Sequence, residues 1–489
     1  TEGEKRQLIE QVNTLRTPVK LNAFINGKNT TIIRDNPDDV DHLGKEVSLK
    51  IYDRQEIAAG QSRYQIVRQP QFPTGNPLAS DRRGDLTLLI NGMPVIHIEL
   101  KKSGIPVSQA SNQIEKYAHE GIFDSGLFAL TQLFVAMTPE ETIYFANPGP
   151  LGHFNKDYYF HWADFNNEPV NEWYRICETF LSIPMAHQLI GFYTVADTND
   201  EVLKVMRSYQ YYAANAISQK VQRTHWDEVD NHGGYIWHTT GSGKTLTSFK
   251  SAQLIAQSHD ADKVVFLVDR IELGNQSFLE YQGFAEDSET VNDTAYTSSL
   301  VKKLKSNDQD EVLIITSIQK MSNIKEEEVQ YKHAIDIIRK KRLVFIIDEC
   351  HRSCYNKYQA IFHYFDSLVL GLTATPKDQE GQEDTYSLFG LEVGHPTFSY
   401  DYPTAVQEGF LVDYAAIDKT TARLKNGAKY SELSDAEKKE YDEVFAEEEE
   451  LPETQKEKQG NEFYKNIINI PTIKLVLETL MNEGLRVDN

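Results

Sequence analysis

The second half of the chain alternates between short apolar runs and longer polar stretches. The apolar runs are YIW (235–237), VVFLV (264–268), VLIIT (312–316), LVFIID (343–348) and LVLGL (368–372). Each is bounded by a polar stretch long enough to form a helix. Runs of this length are typical of strands that are buried on both faces and joined by crossover helices. The pattern therefore predicts a parallel sheet in a three-layer α/β domain.

The first 180 residues show a more mixed pattern, with short strands, a hairpin and one polar helix. Residues 85–90 (DLTLLI) and 94–101 (PVIHIELK) are rich in side chains that favour strands. The dipeptide Asn91-Gly92 between them is a strong hairpin signal. We therefore expect two antiparallel strands joined by a loop at 91–93.

A three-residue loop in this hairpin pairs Ile90 with Pro94, and therefore Asp85 with Glu99. Because side chains alternate along a strand, Glu99 and Lys101 share one face. Paired carboxylates suit Mg²⁺, which prefers oxygen ligands, activates water and neutralises charge on a scissile phosphate. The hairpin thus predicts Asp85, Glu99 and Lys101 as catalytic residues, with both carboxylates as metal ligands.

The alternative for this hairpin is a solvated polar face without chemistry. Three features favour the catalytic interpretation. The residues before Glu99 are apolar, which indicates a central strand; Asp85 lies at the matching register; and the following helix carries Gln113 and Tyr117 on one face. His97 shares the face of Glu99, but a packed core histidine is a better interpretation of it than a metal ligand.

Composition changes this picture little. Of the 489 residues, 40% are hydrophobic and 25% are charged, which is ordinary for a globular protein of two or three domains. The net charge of −23 lowers the expectation of nucleic-acid binding, although a motor on DNA needs only a local basic groove. The apolar runs are too short to cross a bilayer, and three cysteines fit a reducing cytosol. We expect a cytoplasmic protein without membrane contact.

The sequence HTTGSGKT (238–245) follows the strand YIW and precedes a helical pattern. A strand, a glycine turn and a helix N-terminus form the usual phosphate-binding arrangement. His238 replaces the usual first glycine, which is tolerable if the two later glycines make the turn. Lys244 is expected to reach the β- and γ-phosphates of ATP, and Thr245 to bind Mg²⁺. The predicted nucleotide-binding residues of the loop are Thr240, Gly241, Ser242, Gly243, Lys244 and Thr245.

A second motif supports the nucleotide site. LVFIIDECH (343–351) is a buried strand that ends in Asp348 and Glu349. A plain charged turn does not explain why the pair falls at the end of a parallel strand, where ligand sites of α/β proteins lie. We expect Asp348 to hold Mg²⁺ and Glu349 to orient and activate the attacking water.

These motifs resemble those of the superfamily 2 helicases. Lys244, DECH (348–351) and TAT (373–375) look like motifs I, II and III, in the order of one RecA-like lobe. MRSYQ (206–210) resembles the upstream adenine-recognising motif of that family. The resemblance implies that Gln210 reads the adenine, with Arg207 in a supporting role.

Two further segments resemble motifs Ia and Ib, which face the DNA backbone in that family. They are LVDRIELGNQ (267–276) and ITSIQK (315–320). The implied DNA contacts are Arg270, Thr316 and Ser317. A surface ion pair is an equally good interpretation of Arg270.

Family motors hydrolyse ATP between two lobes, using an arginine of the second lobe. No second set of strands follows residue 417, so the resemblance implies a chain that binds ATP and hydrolyses it slowly. The charged stretch 417–465 predicts a solvated helix or linker, and 472–487 predicts an amphipathic helix. The predicted domains are 1–180, 181–416 and 417–489.

The order Asp…Glu-x-Lys followed by Q-x-x-x-Y resembles the PD-(D/E)xK nucleases. The resemblance implies that Gln113 and Tyr117 contact DNA or brace the site. It also implies a further acidic residue on an earlier helix, for which Glu10 is a weak match. The predicted fold is an α/β chain with a PD-(D/E)xK nuclease domain, a mixed sheet flanked by helices, followed by a RecA-like parallel-sheet P-loop domain.

The combination resembles the R (HsdR) subunit of type I restriction enzymes over nearly the whole chain. The stretches that carry it are RGDLTLLINGMPVIHIELKK (83–102), GGYIWHTTGSGKTLTSFK (233–250) and FIIDECHRS (345–353). The resemblance implies a bacterial or archaeal cytoplasmic protein with ATP and Mg²⁺ as cofactors. It implies double-stranded DNA and the methyltransferase (M, HsdM) and specificity (S, HsdS) subunits as partners. It further implies translocation of DNA and cleavage of unmethylated DNA away from the recognition site.

Other classes stay open at this point. Type III restriction enzymes couple the same two chemistries in one polypeptide, but the nuclease there usually follows the motor. A stand-alone DNA repair helicase-nuclease would need no M and S subunits. A non-enzymatic scaffold with an inactive nuclease is disfavoured by the intact Asp85, Glu99 and Lys101.

Overall fold

The structure is a computed structural model of the chain. Apart from isolated positions, it describes residues 1–27, 29–54, 62–72, 81–150, 152–226, 233–268, 279–285, 296–308, 311–324, 329–347, 367–374 and 394–413. Thr1–Leu411 form one compact unit and Val412–Asn489 a second. In the second unit, Ala428–Lys429 pair antiparallel with Glu457–Lys458. The linker and amphipathic helix predicted for this part lie almost entirely outside the described residues.

The elements of the N-terminal region alternate between short helices and short strands. Its strands are β1 (Asn29–Ile33), β2 (Glu46–Lys50), β3 (Tyr64–Arg68), β4 (Gln71–Phe72), β5 (Arg82–Arg83), β6 (Leu86–Ile90), β7 (Met93–Leu100), β8 (Leu133–Met137), β9 (Thr142–Ala146), β10 (Phe160–His161), β11 (Thr194–Asp197) and β12 (Val202–Val205). Its helices are α1 (Glu2–Thr14), α2 (Pro18–Asn26), α3 (Ser108–His119), α4 (Trp173–Thr179) and α5 (Ile183–Gln188). Shorter turns of helix span Leu127–Leu130, Lys156–Tyr158 and Leu189–Tyr193.

A six-stranded mixed sheet organises this region, in the order β10-β9-β8-β7-β6-β3. Only β7 and β8 pair parallel; the other neighbours are antiparallel. Along β8, Val135 faces the core shared with α1 and α2, whereas Phe134 and Ala136 face the core shared with α3. This alternation buries both faces of the sheet, which confirms the predicted mixed sheet flanked by helices. It also makes β7 a central strand, as the apolar residues before Glu99 predict.

The hairpin turn is shorter than predicted. Asn91 and Gly92 have φ values of +50° and +83°, the left-handed pair that a two-residue turn requires. Ile90 therefore pairs with Met93. The predicted three-residue loop and the pairing of Ile90 with Pro94 are wrong.

A β-bulge restores the predicted opposition of the two carboxylates. Leu88 pairs with Ile96 although Leu89 pairs with Pro94, so β7 carries one extra residue at this point. Beyond the bulge Leu86 pairs with Ile98. Continuing the register by one residue places Asp85 opposite Glu99.

The C-terminal region contains the predicted parallel sheet. Its strands are β13 (Gly234–His238), β14 (Lys263–Val268), β15 (Asn292–Asp293), β16 (Leu313–Ser317), β17 (Leu343–Ile347), β18 (Ser367–Thr373) and β19 (Phe398–Tyr400). Its helices are α6 (Ser208–Gln222), α7 (Lys244–Ser258), α8 (Thr297–Lys305), α9 (Ile318–Ser322), α10 (Val329–Ile338) and α11 (Tyr402–Gln407).

The sheet of this region has seven strands in the order β15-β16-β14-β17-β18-β13-β19, and all its pairs are parallel. Helices α6 and α7 pack in the core on one face, and α8 and α10 in the core on the other. All five predicted strands are confirmed, as is the three-layer arrangement. No helix among the described residues is long and apolar enough to cross a membrane.

Candidate functional site

The two predicted carboxylates of the N-terminal region meet at the open end of the hairpin. Asp85 immediately precedes β6, and its Oδ2 accepts a hydrogen bond of 2.8 Å from the backbone N–H of Leu100. Glu99 lies on β7 and is fully buried. The Asp85 carboxylate is near enough to raise the pKa of Glu99. The hairpin therefore places two acidic groups in one small site.

One oxygen of Glu99 has no partner among the described residues. Its Oε1 lies 3.0 Å from Nε2 of His97, but its buried Oε2 makes no hydrogen bond. Burial raises the pKa of Glu99 to about 8; Asp85 adds to this rise and Lys101 opposes it. A buried carboxylate oxygen without a partner is costly. This environment favours either a proton on Glu99 or a cation beside it.

His97 packs as predicted and also contacts the site. Its ring lies 5.4 Å from the rings of Phe72 and Phe123, and its Nδ1 lies 3.1 Å from Oγ1 of Thr87. Burial lowers the pKa of His97 to about 4, so the ring is neutral at physiological pH. Its contact with Glu99 follows from their i, i+2 spacing on β7, a signal that was present in the sequence.

A hydrogen-bonded row fixes the position of Lys101. Its Nζ donates to Oε1 of Gln113 at 2.5 Å, Nε2 of Gln113 donates to the Tyr117 hydroxyl at 2.6 Å, and that hydroxyl donates to the carbonyl of Arg83 at 3.0 Å. The predicted alignment of Gln113 and Tyr117 on one face of α3 is confirmed. In this structure both side chains bind protein groups, and their contact with DNA stays a prediction.

The donors at this site suit a hard cation. The site offers two carboxylates, and one of them has a buried oxygen without a hydrogen-bond partner in the described part of the chain. This set fits Mg²⁺, which usually takes one or two protein carboxylates and fills its other positions with water and phosphate oxygens. The described residues include no group of three or more His, Cys, Asp or Glu placed to hold a metal. Glu10, the weak match for a third acid, is exposed on α1.

The second site is the phosphate loop between β13 and α7. Gly241 and Gly243 have φ values of +80° and +83°, which a residue with a side chain rarely adopts. They make the turn, and α7 begins at Lys244. His238 ends β13 and is fully buried, with its Nδ1 2.8 Å from Oγ of Ser242. The glycine turn thus accommodates His238, as predicted.

Residues of the adenine-motif resemblance lie against this loop. Gln210 donates from Nε2 to the carbonyls of Ser242 and Gly243 at 3.4 and 3.3 Å and accepts at Oε1 from the backbone N–H of Arg207 at 3.0 Å. Tyr209, which sequence reasoning missed, donates from its hydroxyl to the Ser242 carbonyl at 2.9 Å. Its position beside Gln210 in MRSYQ was the available signal.

Aromatic side chains hold the guanidinium of Arg207. Its central carbon lies 4.7 Å from the ring centre of Phe160 and 4.2 Å from that of Phe410, and Nη1 donates to the Tyr209 hydroxyl at 2.9 Å. Cation–π contacts of this kind fix a guanidinium in place. Arg207 and Gln210 both line a cleft of about 470 Å³ beside the phosphate loop.

The structure leaves five further predicted residues untested. Asp348, Glu349 and Arg270 lie outside the described residues. Thr316 and Ser317 end β16 and are 2% and 4% exposed, and Oγ of Ser317 accepts from the backbone N–H at the start of α9. Their roles stay predictions.

Comparisons with known proteins match both regions. A family model of the type I restriction enzyme R protein N terminus matches residues 2–153, and the SWI2/SNF2 ATPase model matches residues 209–458. The type I restriction enzyme SsaAORF53P endonuclease subunit of Staphylococcus saprophyticus is 34% identical over 430 residues, which is 85% of this chain and 44% of that protein.

Two further similarities differ in weight. The C-terminal part of the putative type I restriction enzyme MpnIIP endonuclease subunit of Mycoplasma pneumoniae is 35% identical, over 42% of this chain and 99% of that sequence. A solved nuclease-deletion mutant of the type ISP enzyme LlaGI, in complex with a DNA substrate mimic, is 18% identical with a TM-score of 0.32. That match covers 51% of this chain and 23% of the LlaGI chain, and a score so low adds nothing to the assignment.

The fold and the two sites define a class of α/β protein in which a mixed sheet with a pair of carboxylates precedes a RecA-like lobe with a phosphate loop. The family models add a narrower assignment to each region. The chain belongs to the family of type I restriction enzyme R (endonuclease) subunits. It spans 44% of the length of the Staphylococcus saprophyticus protein.

Proposed function

We propose that this chain carries the nuclease and the first motor lobe of a type I restriction enzyme. In this proposal the motor translocates double-stranded DNA with ATP, and the nuclease cuts unmethylated DNA away from the recognition site. The M and S subunits supply site recognition, and the assembly works in the cytoplasm of a bacterium or archaeon. The observation that carries the proposal is the acidic pair Asp85 and buried Glu99, with Lys101 held by Gln113 of α3, on the same chain as a glycine phosphate loop.

The nuclease residues have separate tasks. Asp85 and Glu99 would hold Mg²⁺, which when bound activates water and neutralises charge on the scissile phosphate. Glu99 must first lose its proton, and its neutral neighbour His97 keeps Oε1 oriented meanwhile. Lys101 is held by Gln113 and orients the water or stabilises phosphate charge. Tyr117 fixes Gln113.

The motor residues act on the nucleotide. Lys244 would contact the β- and γ-phosphates, and the loop amides turned by Gly241 and Gly243 would bind phosphate oxygens. Thr245 and Asp348 would hold the Mg²⁺ of the nucleotide, and Glu349 would orient the attacking water. The proposed contacts with the DNA backbone are Arg270, Thr316 and Ser317.

The test is cleavage of an unmethylated plasmid that bears the recognition site. The full-length R subunit is reconstituted with its M and S partners and assayed with and without ATP. We expect ATP-dependent cleavage that both Asp85→Ala and Lys244→Ala abolish. The exposed Asp81 and Lys302 provide matched controls, and Asp81→Ala and Lys302→Ala should cut normally.

Other outcomes point elsewhere. Cleavage without ATP or without the partner subunits would indicate an autonomous nuclease. ATP consumption without cleavage by the wild-type enzyme would leave a translocase whose acidic hairpin is only structural. Normal cleavage by Lys244→Ala would overturn the motor assignment.

A further inference from the structure

The cleft beside the phosphate loop is lined by both regions of the chain. Gln210 and the glycine turn 241–243 line it together with residues of the segment 153–160, which follows β9 and ends at the first residue of β10. The segment 153–160 belongs to the N-terminal region and not to the motor lobe. The volume of about 470 Å³ is in the range of small-molecule sites. A ligand whose phosphates lie on the loop would therefore extend toward the segment 153–160.

The inner side of this segment is fixed against the nuclease sheet. The Tyr159 ring stacks on Phe145 with ring centres 3.9 Å apart, and its hydroxyl donates to Oε1 of Glu115 at 2.7 Å. Glu115 belongs to α3, the helix that also carries Gln113 and Tyr117. Phe160 is buried beneath the guanidinium of Arg207. Tyr159 and Phe160 thus anchor the C-terminal end of the segment beside the cleft.

Tyr158 differs from Tyr159 and Phe160 because it is 61% exposed although it lines the cleft. An exposed aromatic ring next to two anchored residues offers a face on which a planar base can stack. Gln210, in contrast, uses both ends of its amide to bind the protein. These contacts hold the Gln210 side chain against the loop, and a stacking surface elsewhere in the cleft would add to the affinity for the base.

We propose that the base of the nucleotide stacks on Tyr158, so that a residue of the nuclease region forms part of the ATP site. The proposal rests on the proposed nucleotide site, because it requires the phosphates to lie on the loop that begins α7. It means that the segment 153–160, which lies outside the helicase motifs, contributes to the affinity for the nucleotide. The occupant is a purine nucleotide, recognised by its ring and its phosphates together.

The test compares a nucleotide with a phosphate chain that has no base. Isothermal titration calorimetry of this chain is run with Mg·ADP and, separately, with Mg·tripolyphosphate. Tyr158→Ala should weaken ADP binding about 5- to 100-fold, as expected for the loss of one base–aromatic stack, and should leave tripolyphosphate binding unchanged. Tyr158→Phe should bind ADP as the wild type does, because stacking needs the ring and not the hydroxyl. Tyr174 is 49% exposed and lies on α4 outside the cleft, so Tyr174→Ala should change neither affinity.

The outcomes separate this inference from the proposed function. If Lys244→Ala weakens both ligands but Tyr158→Ala binds ADP normally, the composite site is wrong and the motor site stands. If Tyr158→Ala weakens both ligands equally, its effect is structural and the stacking role is wrong. If the wild type binds neither ligand, the proposed nucleotide site fails and the stacking role fails with it.

Discussion

The acidic site and the phosphate loop are assembled in opposite ways. The acidic site draws its main groups from one hairpin and the next helix, within residues 83–117, and each of its polar links joins described residues. The phosphate loop lies between β13 and α7, but its supports come from residues 207–210 and from Phe410. A site built from neighbouring residues follows from local rules, whereas a site built across crossovers needs the tertiary fold.

The two sites also handle charge differently. At the acidic site, Glu99 is buried with a raised pKa of about 8, so its surroundings disfavour the negative form of this side chain. At the phosphate loop, Gly241 and Gly243 make a tight turn with positive φ values, and Lys244 is half-buried at the start of α7. A cation at the first site would make ionisation of Glu99 less unfavourable. The second site combines a helix N-terminus with a lysine, which favours an anion.

The largest expected effects are those of Lys244→Ala and Lys101→Ala, which should act on different activities. Lys244→Ala should weaken Mg·ADP binding about 10- to 100-fold, because charged hydrogen bonds to phosphate are lost. Lys101→Ala should leave this affinity unchanged but lower DNA cleavage by the reconstituted enzyme by about 100-fold or more. Calorimetry and a plasmid assay measure the two effects. Weaker ADP binding by Lys101→Ala would show that the sites are not independent.

A second prediction concerns pH and Glu99. Its pKa in the folded chain, about 8, lies above its ordinary value of 4.5. The stability that its proton provides is therefore fully present below pH 4.5 and is lost as the pH rises through about 8. Without divalent metal, the free energy of unfolding should fall by roughly 3 to 5 kcal/mol more in the wild type than in Glu99→Gln across this window.

Urea unfolding at a series of pH values, in the presence of a chelator, measures this difference. Glu10→Gln removes an exposed carboxylate of the same region and should keep the slope of the wild type. Added Mg²⁺ should reduce the loss in the wild type, because the cation replaces the proton on Glu99. If the free energy of unfolding depended on pH in the same way for the wild type and Glu99→Gln, the pKa of Glu99 would not be raised in solution.

A third prediction tests the departure from the usual phosphate-loop sequence. His238→Gly restores the usual residue, yet we expect it to destabilise the protein by about 2 to 4 kcal/mol, because it leaves a cavity. The His238 ring is fully buried near Tyr209 and Tyr400. Thermal unfolding measures the effect, and His153→Ala, at an exposed position, is the control. A stability equal to that of the wild type would mean that the ring contributes no packing.

The sequence predicted the architecture better than the details of the sites. The parallel strands could be predicted because each is an apolar run buried on both faces. The opposition of Asp85 and Glu99 could be predicted because side chains alternate along a strand. The length of the hairpin loop was wrong and the bulge at Val95 was missed, and these two errors cancelled in the register. Backbone irregularity of this kind depends on packing and leaves no clear pattern in a single sequence.

The supports of both sites were harder to predict. That the Gln210 amide binds the loop carbonyls depends on how α6 packs on α7, which residue spacing does not encode. The resemblance to a helicase motif implies that Gln210 reads adenine, which stays a prediction, and the structure adds that its side chain binds the phosphate loop. The burial of Thr316 and Ser317 has a similar origin, because a strand end is exposed or covered according to its neighbours.

The smallest expected effect belongs to the Tyr117 hydroxyl, which links Gln113 to the carbonyl of Arg83. Tyr117→Phe keeps the ring and its packing but removes both hydrogen bonds, so the protein should lose about 1 kcal/mol of stability. Because Gln113 holds Lys101, cleavage by the reconstituted enzyme should fall about tenfold while Mg·ADP affinity stays the same. Tyr174→Phe, at an exposed position, should change neither quantity.

A loss of stability with full cleavage would mean that Lys101 finds its position without Gln113, and the hydrogen-bonded row on α3 would then be only structural. A loss of cleavage larger than that of Lys101→Ala would instead indicate that the hydroxyl contacts DNA itself.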